Sequence, residues 1–418
     1  MAPCVHIIGA GVAGLSAAVR LAEAGVQARL HETAKHAGGR CRSFFDETMG
    51  ATIDNGTHLI LSGNTEVRDY ARLVGGDAAL APQARAAFDF MHVKNGQTWS
   101  VDLGAGAGRW AMVRWLLSKD RQPPGFSLRQ FVSDVRALKR GQGKTVSACV
   151  ATDTPLFETF WAPMCNSVLN AAPDVGAAQL LWRVLELTVI KGGKYARPVL
   201  APDGLGAALV DPAVAYLKDK GAALHFGRRI TGLETDGGRV KSVRFATAAE
   251  VLGNGDQVIV ATPPQHISDL VPGVPKPEGA HAILNVHYKL STPVAAPRLV
   301  GLIGGACEWV QLRGCVASVT LSDAKAWMDK DLDAIAHALW PEVVQVDGLY
   351  GDIPDYRVIK ERRATFAATP ENLALRPGTR TSWDNLYLAG DWTDTGLPAT
   401  LEGAVKSGRL AAEAVLAG

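Results

Sequence analysis

The chain begins with a glycine-rich turn between a predicted strand and a predicted helix. An apolar run from Val5 to Ile8 is followed by Gly9, Gly11 and Gly14, which form the pattern G-x-G-x-x-G. Good helix formers then fill Val12 to Ala24. In this pattern the first glycine permits a tight turn, the second lets backbone approach a pyrophosphate, and the third allows helix and strand to pack closely. The arrangement favours a dinucleotide-binding βαβ unit over a chance glycine-rich turn.

An acidic residue follows at the place where such a unit needs one. A second apolar run from Val26 to Leu30 predicts the next strand, and Glu32 comes directly after it. A carboxylate about 20 residues beyond the glycines accepts hydrogen bonds from ribose hydroxyls. The pyrophosphate is expected at the positive N-terminus of the helix, beside Ala13.

Two further motifs narrow the choice of dinucleotide. Gly38-Gly39-Arg40 follows Glu32, and Gly390-Asp391 lies within residues 385–408. With the first turn, these segments resemble the FAD-dependent amine oxidase and phytoene desaturase superfamily. The resemblance implies FAD, with the Asp391 position on the ribityl chain and the Arg229-Ile230 backbone on the adenine. The expected cofactor-binding residues are Gly9, Gly11, Ala13, Gly14, Glu32, Gly39, Arg40, Ile230, Gly390, Asp391, Thr400 and Leu401.

Within that superfamily the match is closest to the squalene-associated branch, the hydroxysqualene dehydroxylases. Residues 53–58, 160–170 and 390–400 carry this similarity. It implies a reductive reaction of squalene and hopanoid biosynthesis, in which hydroxysqualene and reduced flavin give squalene, water and oxidised flavin. Hydride would pass from flavin N5 to an allylic carbon, and an acid would protonate the departing hydroxyl. A phytoene or carotenoid desaturase, a flavin amine oxidase and a non-catalytic FAD-binding protein stay open as alternatives.

The resemblance also implies the fold class and the domain organisation. The class is α/β, with a Rossmann-type FAD-binding domain and an inserted mixed α+β substrate domain. We expect residues 1–75, 196–270 and 361–418 to form a discontinuous FAD domain, and residues 76–195 and 271–360 to form the substrate domain. A chain of 418 residues is long enough for both. Because G-x-G-x-x-G does not occur twice, no separate NAD(P) domain is expected.

The last helix carries a further expectation. Thr400 is a good N-cap residue, and a helix is predicted from Leu401 to Leu416. In the context of Gly390-Asp391, its positive N-terminus would stabilise negative charge on a reduced flavin. The alternative is an ordinary alanine-rich helix at the end of the chain.

Composition excludes several other classes of protein. A net charge of +2 argues against general attraction to nucleic acid. The six cysteines form no C-x-x-C pair and no zinc-type spacing, so we expect no metal site and a reduced chain. A first strand beginning by Val5 leaves no room for a signal peptide, and no run of about 18 uncharged apolar residues predicts a membrane span. We expect a cytoplasmic protein, with peripheral contact at the cytoplasmic membrane face as an option.

A small-molecule, apolar isoprenoid substrate is expected because the inserted domain is rich in large apolar residues and shows no cage for an amine. For each such residue, a place in the core is the alternative to a place in the substrate pocket. The candidates for the lining are Trp161, Pro163, Met164, Leu169, Leu181, Trp182, Leu185 and Trp392.

Three residues are candidates for the acid that protonates the departing hydroxyl. Asp54 and His58 lie in the segment Ile53-Asp-Asn-Gly-Thr-His58, and Asp394 lies in the Gly390-to-Thr400 segment. Adjacency to the cofactor motifs is the reason for choosing them. Each could instead serve a turn or cap a helix.

A basic helix with two tryptophans is predicted from Gly108 to Lys119. Trp110, Val113, Leu116 and Leu117 can share one face, and Arg109, Arg114 and Lys119 lie on others. Such a helix can lie in a membrane interface, or its apolar stripe can pack on the core.

Overall fold

The structure is a computed structural model that describes residues 3–346, 349 and 351–418, without the side chain of Arg109. Its α-helices are α1 (Val12–Glu23), α2 (Thr65–Val74), α3 (Gly108–Leu117), α4 (Leu128–Lys139), α5 (Ala162–Leu169), α6 (Ala178–Leu187), α7 (Gly193–Ala196), α8 (Asp211–Asp219), α9 (Ile267–Leu270), α10 (Leu332–Val343), α11 (Pro370–Ala374) and α12 (Leu401–Leu416).

The strands are β1 (Cys4–Ile8), β2 (Gln27–His31), β3 (Ser43–Asp46), β4 (Ala51–Asp54), β5 (Ile60–Leu61), β6 (Ala81–Pro82), β7 (Ala87–His92), β8 (Thr98–Asp102), β9 (Pro198–Leu200), β10 (Ala223–His225), β11 (Ile230–Asp236), β12 (Arg239–Phe245), β13 (Ala249–Val251), β14 (Gln257–Val260), β15 (Ala280–Lys289), β16 (Arg298–Ile303), β17 (Trp309–Arg313), β18 (Val316–Leu321), β19 (Tyr356–Phe366) and β20 (Leu386–Leu388).

Five parallel strands form a sheet in the order β10-β2-β1-β14-β20. Every residue of β1 is buried, as expected for a parallel strand covered on both faces. The strands come from three separate parts of the sequence, each within a stretch that we assigned to the FAD domain. The exact domain bounds stay a prediction, and β19 runs across one of them.

On one face of this sheet, α1 and α12 pack against each other with almost no space between their backbones. A Cβ atom on Gly408 would lie 2.2 Å from the carbonyl oxygen of Ala13. The Ser16 hydroxyl donates a hydrogen bond of 2.8 Å to the carbonyl of Val405. The first and last helices of the chain are thereby held together at the sheet that carries the glycine-rich turn.

The antiparallel sheet β11-β12-β13 lies against the opposite face, over a stack of histidines. The rings of His6, His31 and His225 come from three neighbouring strands, with centroid distances of 5.7 and 5.3 Å. His31 also contacts Phe245 of β12. Burial, followed by the nearby His6, lowers the pKa of His31 to about 3, so this ring is neutral in the folded protein.

A second, mixed sheet of seven strands has the order β19-β15-β18-β17-β16-β7-β8. Leu284, Val286 and Tyr288 of β15 pack in one core with Ile335 and Leu339 of α10. Because side chains alternate along a strand, Ile283, Asn285 and His287 face the other way. This opposite face contributes to the large cavity of the protein.

Most predicted elements are found, and one helix is shorter than expected. The sequence predicts strands over Phe88 to Val93 and Gln97 to Leu103 with a hairpin turn at Asn95-Gly96. The antiparallel pairing of β7 with β8 confirms this hairpin. The sequence predicts a helix from Asp323 to Trp340, but α10 begins only at Leu332. Ala324–Trp327 forms a separate short 3-10 helix, and the Asp331 side chain caps α10 by accepting from the amides of Asp333 and Ala334. Among the described residues, no helix is both long and apolar enough to cross a membrane.

Candidate FAD and substrate site

A cavity of about 1070 Å³ lies between the five-stranded and the seven-stranded sheets. Its lining includes Gly9, Gly11 and Glu32 of the βαβ unit. It also includes Asn285 of β15 and Trp309 of β17. One continuous space therefore connects the predicted dinucleotide site with the predicted substrate domain.

The three glycines of the turn have different steric surroundings. Gly9 has a φ of 107°, and a Cβ atom there would lie 2.7 Å from the carbonyl oxygen of Ala261. A Cβ atom on Gly14 would lie 1.9 Å from the carbonyl oxygen of Gly9, so this glycine sets the close contact of helix and strand. Gly11 is the N-cap of α1 and has no neighbour within 4 Å of its Cβ position. The open space at Gly11, beside the cavity-lining Ala13, is where backbone can approach a pyrophosphate.

Glu32 directs its carboxylate back towards the turn. Its two oxygens accept hydrogen bonds from the backbone amides of Ala10 and Ala34, at 2.8 and 2.7 Å. The backbone of Glu32 also pairs with His225 and Arg228, which brings β2 beside the start of β11. Ile230, the first residue of β11, lines the same cavity. Glu32 and Ile230 are thus brought together, as an adenosine site requires.

Arg40 and Asp391 connect the second motif with the third. The guanidinium of Arg40 lies 2.9 Å from the carboxylate of buried Asp391, and it also donates to the carbonyl of Ala364. Gly39, with a φ of 54°, lies against Gly11. Arg40, Asp391, Ala364 and both glycines line the cavity.

Gly390 is the glycine that the third motif needs. Its φ is 144°, and a Cβ atom there would lie 2.5 Å from the indole nitrogen of Trp392. Its amide donates a hydrogen bond of 2.8 Å to the hydroxyl of Ser407 in α12. The turn after β20 is therefore locked onto the helix that follows.

The predicted N-cap at Thr400 is confirmed. Its hydroxyl accepts a hydrogen bond of 3.1 Å from the amide of Gly403, and α12 begins at Leu401. Thr400 and Leu401 line the cavity. The positive end of α12 therefore faces the cavity, where it favours negative charge.

These residues fit FAD. The Gly9-to-Gly14 turn and the N-terminus of α1 suit a pyrophosphate, and Glu32 offers carboxylate oxygens to ribose hydroxyls. Asp391 and the N-terminus of α12 lie at the same cavity for the remainder of the cofactor. The individual contacts of each residue with FAD stay predictions.

The structure separates the three acid candidates. His58 lines the cavity, whereas Asp54 and Asp394 do not. Asp54 is buried and forms an ion pair of 2.9 Å with Arg313 of β17. Asp394 is exposed and accepts a hydrogen bond from the amide of Gly396 in its own turn. These places argue against Asp54 and Asp394 as the acid and leave His58 as the candidate.

The ring of His58 has one nitrogen engaged. Its Nδ1 lies 2.8 Å from the carbonyl oxygen of Gly56, so Nδ1 carries the donated hydrogen. In the described part of the chain, Nε2 has no hydrogen-bond partner. Burial lowers the pKa of His58, while its contact with Gly56 opposes this effect. A protonated His58 is thus a stronger acid than an ordinary imidazolium.

Comparison with known proteins agrees with this geometry. The family described as flavin containing amine oxidoreductase matches residues 12–416. The chain belongs to the flavin-containing amine oxidoreductase family. It is an FAD-dependent oxidoreductase.

Among curated proteins, several hydroxysqualene dehydroxylases are similar to this chain over nearly their full length. The protein of Rhodopseudomonas palustris is 42% identical and is covered to 99%, with 100% of this chain matched. The protein of Sinorhizobium fredii is 39% identical over 99% of this chain and 98% of its own length. That of Zymomonas mobilis is 35% identical over 98% of both chains. The 15-cis-phytoene desaturase of Glycine max is a more distant relative, at 24% identity over 79% of its length.

Solved structures show the same fold. Cyclohexylamine oxidase from Brevibacterium oxydans has a TM-score of 0.72 at 16% identity, with 99% of each chain covered. Putrescine oxidase bound to putrescine has a TM-score of 0.73 at 13% identity, with 100% of each chain covered. The predicted fold class is thereby confirmed.

Most of the predicted apolar lining belongs to the core of this flavin oxidoreductase. Trp161 is fully buried and donates a hydrogen bond of 2.9 Å to Asp134. Of the eight candidates, Trp392 alone is among the residues that line the cavity. The same helices supply other side chains instead, namely Val168, Val184 and Leu187. The sequence located the correct helices but not the correct faces, because a face is decided by packing.

Several cavity residues have no motif that would identify them. Asn285, Thr320 and Trp309 come from neighbouring strands of the seven-stranded sheet. Glu402, in the first turn of α12, accepts hydrogen bonds from the amides of Glu66 and Val67 at the start of α2. Burial raises the pKa of Glu402 to about 7. For Asn285 and Thr320, the only signal in the sequence is the alternation of polar and apolar residues along β15 and β18.

Proposed function

We propose that this chain reduces hydroxysqualene to squalene in squalene and hopanoid biosynthesis. The observation that carries this proposal is the identity of 35–42% with proteins named hydroxysqualene dehydroxylase, over 98–100% of the chain. The large cavity supports it, because one space reaches both the FAD motifs and the apolar side chains of α5 and α6.

The protein's part in this reaction is to position the alcohol, to exclude water and to supply a proton. Reduced FAD, when bound, supplies the hydride that replaces the hydroxyl at an allylic carbon. Val168, Val184 and Leu187 offer apolar contacts for a hydrocarbon chain, and each buried methylene contributes about 0.8 kcal/mol. We assign proton delivery to His58, whose Nε2 can carry a proton to the departing oxygen.

An anaerobic experiment tests the substrate and the direction together. Reduced holoenzyme and, in a second series, oxidised holoenzyme are each incubated with hydroxysqualene, phytoene and a polyamine, and products are analysed by chromatography. Squalene formation with stoichiometric flavin reoxidation is the expected result. If the reduced enzyme leaves hydroxysqualene unchanged while the oxidised enzyme desaturates phytoene, the desaturase function replaces this proposal. Reduction of the oxidised flavin by the polyamine would indicate an amine oxidase.

We further propose that α3 docks the protein on a membrane that contains the substrate. Trp110, Val113 and Leu117 are 83%, 42% and 71% exposed, and Arg114 is exposed beside them. The spacing of three, four and seven residues places all four on one helix face. Exposed tryptophan and leucine with an arginine suit a membrane interface that bears anionic lipids.

The position of α3 fits a route into the cavity. This helix packs on the turn Val189–Lys191, which follows α6 directly. Leu187 and Thr188, at the end of α6, line the cavity. A lipid-soluble alcohol would then have a short path from the membrane to the site.

A further inference from the structure

Asn285 holds a fixed orientation in the wall of the cavity. It lies on β15 with 1% of its surface exposed. Its Oδ1 accepts hydrogen bonds from the Thr320 hydroxyl at 2.9 Å and from the Thr57 amide at 3.3 Å. A backbone amide can only donate, so the atom that faces Thr57 must be the oxygen. The amide orientation of Asn285 follows from this contact.

The other end of the same side chain lacks a partner. Among the described residues, nothing accepts a hydrogen bond from the Nδ2 of Asn285, although this atom is buried. Buried donors in proteins are almost always paired, and an unpaired one costs about 1–3 kcal/mol. Nδ2 is thus a candidate to meet an oxygen atom of a bound ligand.

Nδ2 of Asn285 and the ring of His58 both lie beside Gly56. A Cβ atom on Gly56 would lie 3.5 Å from Nδ2 of Asn285 and 3.4 Å from the ring of His58. Because Gly56 has no side chain, the amide and the imidazole face the same small space. All three residues line the cavity, so this space belongs to it.

The surroundings of Nδ2 indicate the ligand chemistry. Ile283, two residues before Asn285 on the same face of β15, is apolar and lines the cavity. A neutral donor in such surroundings suits a neutral oxygen with a free lone pair, which an alcohol has and a hydrocarbon lacks.

We propose that Nδ2 of Asn285 binds the hydroxyl oxygen of the substrate alcohol, beside His58. This inference rests on the proposed function, since it assumes an isoprenoid alcohol as substrate. It adds a reason for product release: squalene has no oxygen, so Nδ2 loses its partner when the hydroxyl departs. Asn285 is a substrate-positioning residue in this account, and it carries no proton in the reaction.

The proposal is tested by binding in the absence of turnover. Oxidised holoenzyme is titrated with hydroxysqualene and with squalene in detergent micelles, and binding is followed by the change in flavin absorbance. The parent should bind the alcohol about tenfold more tightly than the hydrocarbon, or better. In Asn285→Leu and in the smaller Asn285→Ala, the ratio of the two dissociation constants should fall close to one.

A matched control is available on the same strand. His287 is also 1% exposed, and its ring lies on the same face of β15, but it does not line the cavity. His287→Leu should therefore keep the preference of the parent for the alcohol. FAD content and melting temperature are measured for every variant.

Each other outcome overturns the inference in a recognisable way. Variants that bind both ligands with the ratio of the parent show that Asn285 does not meet the hydroxyl, while the proposed function stands. Variants that lose FAD but keep the ratio assign Nδ2 to the cofactor. A parent that binds neither ligand contradicts the proposed function itself, and this inference with it.

Discussion

The guanidinium of Arg40 and the carboxylate of Asp391 lie 2.9 Å apart although 351 positions separate them in the chain. Arg40 follows the first βαβ unit, and Asp391 follows the last strand of the same sheet. Their ion pair closes the site by joining the second and third cofactor motifs. Because Asp391 is buried, removing either partner leaves the other charge without its counterion, which lowers the free energy of unfolding.

The glycines of the first turn should divide into one that serves binding and one that serves folding. Gly11→Ala places a methyl group in open space, so we expect a stability change below about 1 kcal/mol. FAD affinity should nevertheless fall about tenfold or more, since the methyl group occupies the approach to the pyrophosphate. Gly14→Ala collides with Gly9 and should destabilise the fold by about 1–3 kcal/mol or more. FAD titration and chemical denaturation separate the two effects, and equal FAD affinity in Gly11→Ala would contradict the assignment.

Glu32→Ala should weaken FAD retention. The change removes the acceptor for ribose hydroxyls and also leaves the amides of Ala10 and Ala34 without their partner. We expect a cost of about 1–3 kcal/mol in FAD binding, measured by fluorescence titration. Glu23→Ala, which affects an exposed ion pair with Arg20, is the control and should bind FAD as the parent does. An unchanged affinity in Glu32→Ala would show that this carboxylate does not contact the cofactor.

His58→Gln should slow reoxidation of the reduced enzyme by hydroxysqualene about a hundredfold, the usual scale of acid–base assistance. The lowered pKa of His58 means that the protonated form is scarce near neutral pH. The rate in the parent should therefore rise as the pH falls towards that pKa, and this rise should disappear in His58→Gln. Stopped-flow absorbance of the flavin measures the reoxidation rate and its pH dependence in the parent and in the variant.

The two aspartates provide contrasting controls for this experiment. Asp394→Asn should be active, because Asp394 is exposed and outside the cavity. Asp54→Asn should lose stability by about 3–5 kcal/mol through its broken ion pair with Arg313. A slow step in Asp394→Asn, with full FAD content, would return that residue to the list of acids.

Membrane binding should depend on the exposed face of α3. Trp110→Ser with Leu117→Ser and Arg114→Glu should reduce sedimentation with anionic liposomes. Trp115 is only 2% exposed and packs on Phe126 and Phe131, so changing it would damage the core.

The control for α3 is an exposed apolar residue elsewhere. Val251→Ser changes a side chain that is 80% exposed on β13, and liposome binding should not change. If the α3 variant is folded and sediments like the parent, this face of the helix does not contact the membrane. Trp115 and Leu116 pack in or against the core, so the core alternative holds for these two residues, whereas membrane contact through exposed Trp110 stays a prediction.

Acid should destabilise the protein through the histidine stack. The folded pKa of His31 is about 3, against an ordinary value of 6.5. Below pH 6.5 the unfolded chain binds a proton that the folded chain refuses until about pH 3, so stability is complete above 6.5 and falls as the pH drops. For this one ring the loss between pH 7 and pH 5 is about 2 kcal/mol. His31→Phe should remove that loss in denaturation curves, whereas exposed His337→Phe should not.

The parts of the site that lie close together in sequence could be predicted from sequence. The βαβ turn with Glu32, the hairpin at Asn95-Gly96 and the cap at Thr400 each depend on neighbouring residues. Local backbone preferences and short-range hydrogen bonds determine such elements, so a stretch of about 30 residues contains the necessary information.

Tertiary structure decided which side chains face the cavity. Asp54 and His58 are four positions apart, yet one pairs with Arg313 in the interior and the other lines the cavity. Trp161 and Val168 belong to one helical segment, and only the valine reaches the site. Asn285 acquires its unpaired donor through contacts with Thr57 and Thr320, which are distant in sequence. A motif specifies backbone over a few residues, whereas the direction of a buried side chain depends on the packing of every element around it.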